Sequence, residues 1–88
     1  MLDLGCGNGY LAGLLAARGY DVTGVERAGC YDAAEVPSSI RLIEGDLERE
    51  LPVGGQFDHI ILADVLEHLR SPESLLQRLE KHLAPQGR

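Results

Sequence analysis

Three glycines, Gly5, Gly7 and Gly9, stand in the spacing Gly-x-Gly-x-Gly directly after the apolar stretch Met1–Leu4. A helical pattern begins at once, near Gly9 or Tyr10. Strand end, glycine turn and helix start make a nucleotide-binding elbow. Residues without a Cβ accept positive φ and let a ligand approach the backbone closely, while the helix start offers unpaired N–H groups and the positive end of its dipole.

The spacing departs from the dinucleotide fingerprint Gly-x-Gly-x-x-Gly, which sets a pyrophosphate on the helix N-terminus. Here the third glycine comes one residue early, and Asp3 lies two residues before the first. An acid at that place repels a pyrophosphate and suits a ligand bearing a cationic or ammonium group. Cys6, inside the turn, reads as a small space-filling residue and not a nucleophile.

An 88-residue chain makes one small domain at most, and chains of this size bury only a little over about 60% of their unfolded surface. The formal net charge of −6 argues against a nucleic-acid footprint, which needs clustered Lys and Arg. No run approaches the roughly 18 apolar residues of a membrane helix, and no signal peptide is visible. Two cysteines, Cys6 and Cys30, are too few for a disulfide framework and fit a reduced, cytoplasmic setting. A strand at residue 1 and a turn at 85–88 read as the ends of a fragment of a larger α/β domain.

Leu11, Leu14 and Leu15 fall on one helical face, and Arg18-Gly19 supplies a C-terminal cation and a left-handed cap. The β-rich run 21–26 follows, so residues 1–26 form one βαβ unit with parallel strands and a right-handed crossover. Glu26, 17 residues after Gly9, ends the second strand, where an acid accepts hydrogen bonds from a ribose diol. Residues 27–39 read as an irregular helix weakened by Gly29, then a loop at Pro37-Ser38-Ser39. A third strand spans 40–44, and Asp46 sits at its C-terminal end, the ligand end of open α/β sheets. Its carboxylate suits an exocyclic amine, with the Leu47 N–H meeting a ring nitrogen.

Residues 51–56 read as a loop and 57–63 as a fourth strand, whose run Ile60–Ala63 suits an interior parallel strand. Asp58 and His59, at its start, are structural. Ser71, Pro72 and Glu73 form a helix start, and Leu75, Leu76, Leu79 and Leu83 one apolar stripe. Lys81 and His82 suit the helix end.

The blocks Leu2–Gly9, Val25-Glu26, Gly45-Asp46-Leu47, residues 64–69 (Asp-Val-Leu-Glu-His-Leu) and residues 83–87 occur in one order over nearly the whole chain. In this the chain resembles the class I S-adenosylmethionine-dependent methyltransferases, in particular those acting on small molecules. The resemblance implies a Rossmann-like α/β three-layer sandwich with a parallel sheet in the order 3-2-1-4, of which residues 1–88 supply strands one to four. The fifth strand and final hairpin of the family fold lie outside these residues. It implies that Asp3 faces the amino-acid end of S-adenosylmethionine, with Gly5, Cys6, Gly7 and Gly9 lining it. Glu26 then takes the ribose hydroxyls, Asp46 and Leu47 hold adenine, and Ala63 and Asp64 border the methionine amine and the transferring methyl.

Alignment of nucleophile, methyl and sulfur is the main demand of such chemistry. Where the acceptor is protonated, His68 is the available base, with an unperturbed pKa near neutrality, although a histidine at a strand–helix junction also serves as an anchor. Asp64, Glu67 and His68 resemble metal ligands of some relatives, but no further histidine ligand accompanies them and no metal is expected. The expected partners are a small-molecule methyl acceptor, neither nucleic acid nor membrane, and a second copy through the open edge of the fourth strand. Two other readings follow from the same residues: an NAD-type oxidoreductase domain, and a non-catalytic binding module of the same fold.

Overall fold

The computed structural model describes residues 1–49, 53–62, 69–85 and 87. Four parallel strands, β1 (Leu2–Leu4), β2 (Thr23–Glu26), β3 (Arg41–Glu44) and β4 (Ile60–Ile61), form one sheet in the order β3-β2-β1-β4. Among the described residues two α-helices accompany it, α1 (Tyr10–Ala17) and α2 (Pro72–Glu80). The α/β architecture and strand order are those read from the sequence.

The register builds the two faces. Leu2 pairs with Thr23 and Leu4 with Val25, so these side chains share one face, while Asp3 and Gly24, one residue on, share the other. Leu2, Leu4 and Val25 are fully buried in a cluster with Leu47, Leu75 and Leu79, against which Val53, Phe57, Ile60, Leu62 and Leu69 pack. That face therefore lies under α2, and the right-handed sense of a β1–α1–β2 crossover puts α1 on the opposite face.

α1 differs from its expected apolar stripe. Leu11 and Leu14 are each 42% exposed, and the fully buried residue of the helix is Ala12. The helix runs close to the chain at Pro37, whose Cγ stands 2.9 Å from where a Cβ on Gly13 would lie. Only small residues fit that side. Its C-terminus behaves as read: Gly19 (φ 94°) donates to the Ala16 carbonyl at 3.0 Å and Tyr20 to that of Leu15 at 3.3 Å, the paired bonds of a Schellman cap.

Residues 27–39 form no irregular helix. A single 3-10 turn, Ala33–Glu35, is capped by Asp32, whose carboxylate accepts the Ala34 N–H at 3.0 Å. Gly29, at φ 85°, interrupts any helix before it. In α2, Leu75 and Leu79 are buried as expected, but Leu76 is 44% exposed. His82, expected as a cation at the helix end, is buried and its Nδ1 donates to the Gly55 carbonyl at 2.9 Å. The fourth strand is shorter than 57–63: Phe57 makes an isolated parallel bridge to Leu83, donating to the His82 carbonyl at 2.6 Å. The readings for Ala63, Asp64, Glu67 and His68 lie outside the described residues.

Candidate functional site

All four strands being parallel, the turns that leave β1, β2 and β3 emerge at one rim of the sheet, where Glu26 ends β2 and Asp46 follows β3, while Asp3 lies within β1. The turns are joined by hydrogen bonds. Gly5 and Cys6 both donate to the Val25 carbonyl, at 2.8 and 3.2 Å, and Gly45 donates to the Glu26 carbonyl at 3.0 Å. The glycine turn and the Asp46 turn thus hang on the last two residues of β2.

Within the glycine turn, Gly5, Gly7 and Gly9 have φ of 70°, 58° and 81°. The requirement is sharpest at Gly9, the residue before α1, which combines a left-handed backbone with close neighbours. A Cβ there would lie 2.7 Å from Ile40 Cδ1 and 3.3 Å from Pro37 Cδ. A Cβ on Gly7 would meet nothing within 4 Å, so that side of the turn is open to a ligand.

Glu26 is half-buried and used on both oxygens. Oε2 accepts the Gly7 N–H at 2.9 Å, and Oε1 accepts the Arg27 N–H at 2.9 Å. Each oxygen keeps a second lone-pair site, which leaves room for two hydroxyl donors.

Asp3 is 3% exposed. Burial, then the nearby Glu26 carboxylate, raises its pKa above the ordinary value. Among the described residues no side chain or backbone N–H donates to its carboxylate. A buried acid beside a second acid is costly to ionise, and a nearby positive charge would offset that cost.

Cys6 lies against β2, where a Cβ on Gly24 would stand 2.7 Å from its Sγ. Burial, Asp3 and Glu26 push the Cys6 thiol up to about 11. It stays protonated at neutral pH, as the space-filling reading expects. Gly24, which makes room for it, carries no signal of its own in the sequence.

Asp46 and Leu47 complete the rim. The Asp46 Oδ1 accepts the Glu48 N–H at 3.0 Å, and its Oδ2 lies 3.9 Å from the Arg49 Nε. Leu47 is buried in the core cluster, and its N–H makes no hydrogen bond among the described residues. The loop is therefore anchored by one apolar side chain and carries an acceptor and a backbone donor side by side.

Asn8 joins the site unannounced by the sequence. Its Nδ2 donates to Glu35 at 2.7 Å, and its Oδ1 accepts the Asp32 N–H at 2.6 Å. One amide so clips residues 32–35 to the glycine turn. The signal was a polar residue with both a donor and an acceptor inside a glycine loop. No group of three or more potential metal ligands occurs among the described residues, and no described helix is long and apolar enough to cross a membrane.

Known proteins share this arrangement. The family described as methyltransferase domain matches residues 1–88. A ubiquinone biosynthesis O-methyltransferase of Rickettsia conorii is 34% identical over 94 residues, covering 99% of this chain and 32% of that protein. A solved TehB-like SAM-dependent methyltransferase from Corynebacterium glutamicum superposes with a TM-score of 0.81 at 29% identity, over 98% of this chain and 50% of that one. SAM-bound CalS10, an amino pentose methyltransferase from Micromonospora echinaspora, gives 0.78 at 28% identity, over 96% of this chain and 38% of that one. The chain spans 32% to 40% of the length of such curated relatives. Its glycine turn, strand order and full-length match agree, and the chain belongs to the methyltransferase-domain family, with the class I S-adenosylmethionine-dependent fold.

Proposed function

We propose that residues 1–88 form the cofactor-binding part, strands one to four, of an S-adenosylmethionine-dependent methyltransferase acting on a small-molecule acceptor. The observation that carries this is the rim itself. Asp3, a buried acid in β1, Glu26 with a spare site on each oxygen at the end of β2, and Asp46 beside the Leu47 N–H just after β3 follow one another across the sheet. An ammonium, a ribose diol and an adenine edge need these three in this order.

When bound, S-adenosylmethionine supplies a sulfonium methyl, already activated for displacement. The chain's part is to orient and to neutralise charge. Asp3 offers its carboxylate to the cationic amino-acid end, directly or through water, and Gly5, Cys6, Gly7 and Gly9 line that end closely. Glu26 fixes the ribose, and Asp46 with Leu47 fixes the base. Ala63 and Asp64 border the reacting end and His68 takes the proton of a protonated acceptor; all three roles rest on the family resemblance. The names of the curated relatives favour an oxygen acceptor. The protein works in the cytoplasm, without nucleic acid, membrane or metal. The outer edge of β4, bridged by Leu83 at Phe57, is the surface through which two copies would associate.

Calorimetric titration with S-adenosylmethionine and S-adenosylhomocysteine, with NAD as control, tests the reading. Micromolar binding of the adenosyl ligands, lost in Asp3→Ala and Glu26→Ala, is the expected result. Binding of NAD alone, or adenosyl binding indifferent to both substitutions, would overturn it.

A further inference from the structure

The loop that carries Asp46 and Leu47 is braced from below by α2. The Arg78 guanidinium donates through Nη2 to the Leu47 carbonyl at 2.5 Å and through Nη1 to the Arg49 carbonyl. Its Nε donates to the Ser74 carbonyl at 3.3 Å, which holds the side chain along its own helix. A second tie comes from Glu48, whose Oε1 accepts the Arg70 N–H at 2.7 Å, just before α2. Between loop and helix lies a cavity of about 410 Å³, lined by Asp46, Leu47, Arg49, Ser74 and Arg78 among others. Besides the buried Leu47 side chain and the Gly45 bond to β2, these polar bonds across the cavity hold the loop in place above α2.

We propose that Arg78 is a positioning residue for base recognition. By holding the carbonyls of Leu47 and Arg49, its planar fork fixes the peptide plane that follows Leu47 and the carbonyl two residues further on. It thereby aims the Asp46 carboxylate and the Leu47 N–H at the two edge groups of adenine. A guanidinium does this where an ammonium cannot, because its donors diverge in one rigid plane. Arg78 touches neither the ligand nor the reacting atoms. The inference rests on the reading of Asp46 and Leu47 as the adenine contacts, and its test separates the two.

The test compares S-adenosylhomocysteine with its inosine analogue, in which a carbonyl oxygen replaces the exocyclic amine, each titrated calorimetrically into the 88-residue chain. Wild type prefers the adenosyl ligand. Arg78→Met keeps the aliphatic stem but removes both carbonyl bonds. It should weaken adenosyl binding about tenfold, as expected for loss of well-aimed hydrogen bonds, and leave inosyl binding nearly unchanged, so the preference collapses. Arg78→Lys should restore only part of it, and circular dichroism melting should show both variants folded. An unchanged adenosyl-to-inosyl ratio in folded Arg78→Met, alongside a collapsed ratio in Asp46→Asn, overturns the role of Arg78 and leaves the adenine reading standing. An unchanged ratio in Asp46→Asn itself, or no binding by the folded wild type, overturns both.

Discussion

The Glu26 carboxylate accepts the Gly7 backbone N–H at 2.9 Å, which ties the end of β2 to the glycine turn after β1. The same oxygen pair accepts Arg27, so one side chain organises both turns before any ligand arrives. Glu26→Ala leaves the Gly7 N–H without its partner and should destabilise the chain by about 1–3 kcal/mol. Glu26→Gln keeps one acceptor oxygen and should lose less stability while still losing adenosyl affinity. Thermal melts set beside calorimetric titrations separate the two effects.

Asp3 supplies a prediction in pH. Its folded pKa stands above the ordinary 3.8, so the folded chain holds the proton more tightly than the unfolded one. With respect to this group, stability is greatest below 3.8 and declines as pH climbs through the raised value. Asp3→Asn should therefore raise the urea midpoint at neutral pH, with the difference shrinking toward acid, and should abolish binding of the cationic ligand. A gain of Asp3→Asn over wild type that is no larger at neutral than at acid pH would contradict the assignment.

Cys6 and Gly24 should be coupled. Gly24→Ala drives a methyl to 2.7 Å from the Cys6 Sγ and 3.2 Å from its Cβ, an overpacking that typically costs about 1–3 kcal/mol. In a Cys6→Ala background the sulfur contact is gone and part of that loss should be recovered. A double-mutant cycle with a coupling above about 0.5 kcal/mol is the expected outcome. With its thiol held up at about 11, Cys6 should also react with iodoacetamide at neutral pH far more slowly than exposed Cys30.

The two helices should respond differently to truncation. Leu75→Ala, at a fully buried position, should cost about 2–5 kcal/mol. Leu76→Ala, Leu11→Ala and Leu14→Ala, at positions more than 40% exposed, should stay within about 0.5 kcal/mol. Chemical denaturation of the four variants checks which faces meet the sheet.

These contrasts also mark how far the sequence could be read. The glycine turn after β1 and the places of Glu26 at the end of β2 and Asp46 just after β3 were legible, because backbone chemistry leaves few other reasons for glycines at that spacing directly after an apolar strand. Strand order came with the family resemblance, and the sheet bears it out. The contact side of α1 was not legible, because periodicity locates an apolar face but not the distance to the neighbouring chain. Pro37, 24 residues beyond Gly13, sets that distance and selects Ala12 over the leucines. Residues 27–34 were misread because the order of this stretch comes from Asp32 and Glu35 meeting Asn8, a polar partner far away in sequence, whereas the loop at 37–39 is as read. Arg78 gave no signal, since an arginine in a helix is most often solvated.

β1 is only three residues long, yet Leu2 and Leu4 enter the core while Asp3 between them lies on the opposite face of the sheet, beside Gly24. A slip of one residue in its pairing with β2 would exchange the two faces, putting a carboxylate into the leucine cluster and a leucine in place of Asp3. A single-residue insertion or deletion within β1 is thus closed to neutral drift, because it cannot keep both duties at once. The surface loops beyond the rim are under no such rule.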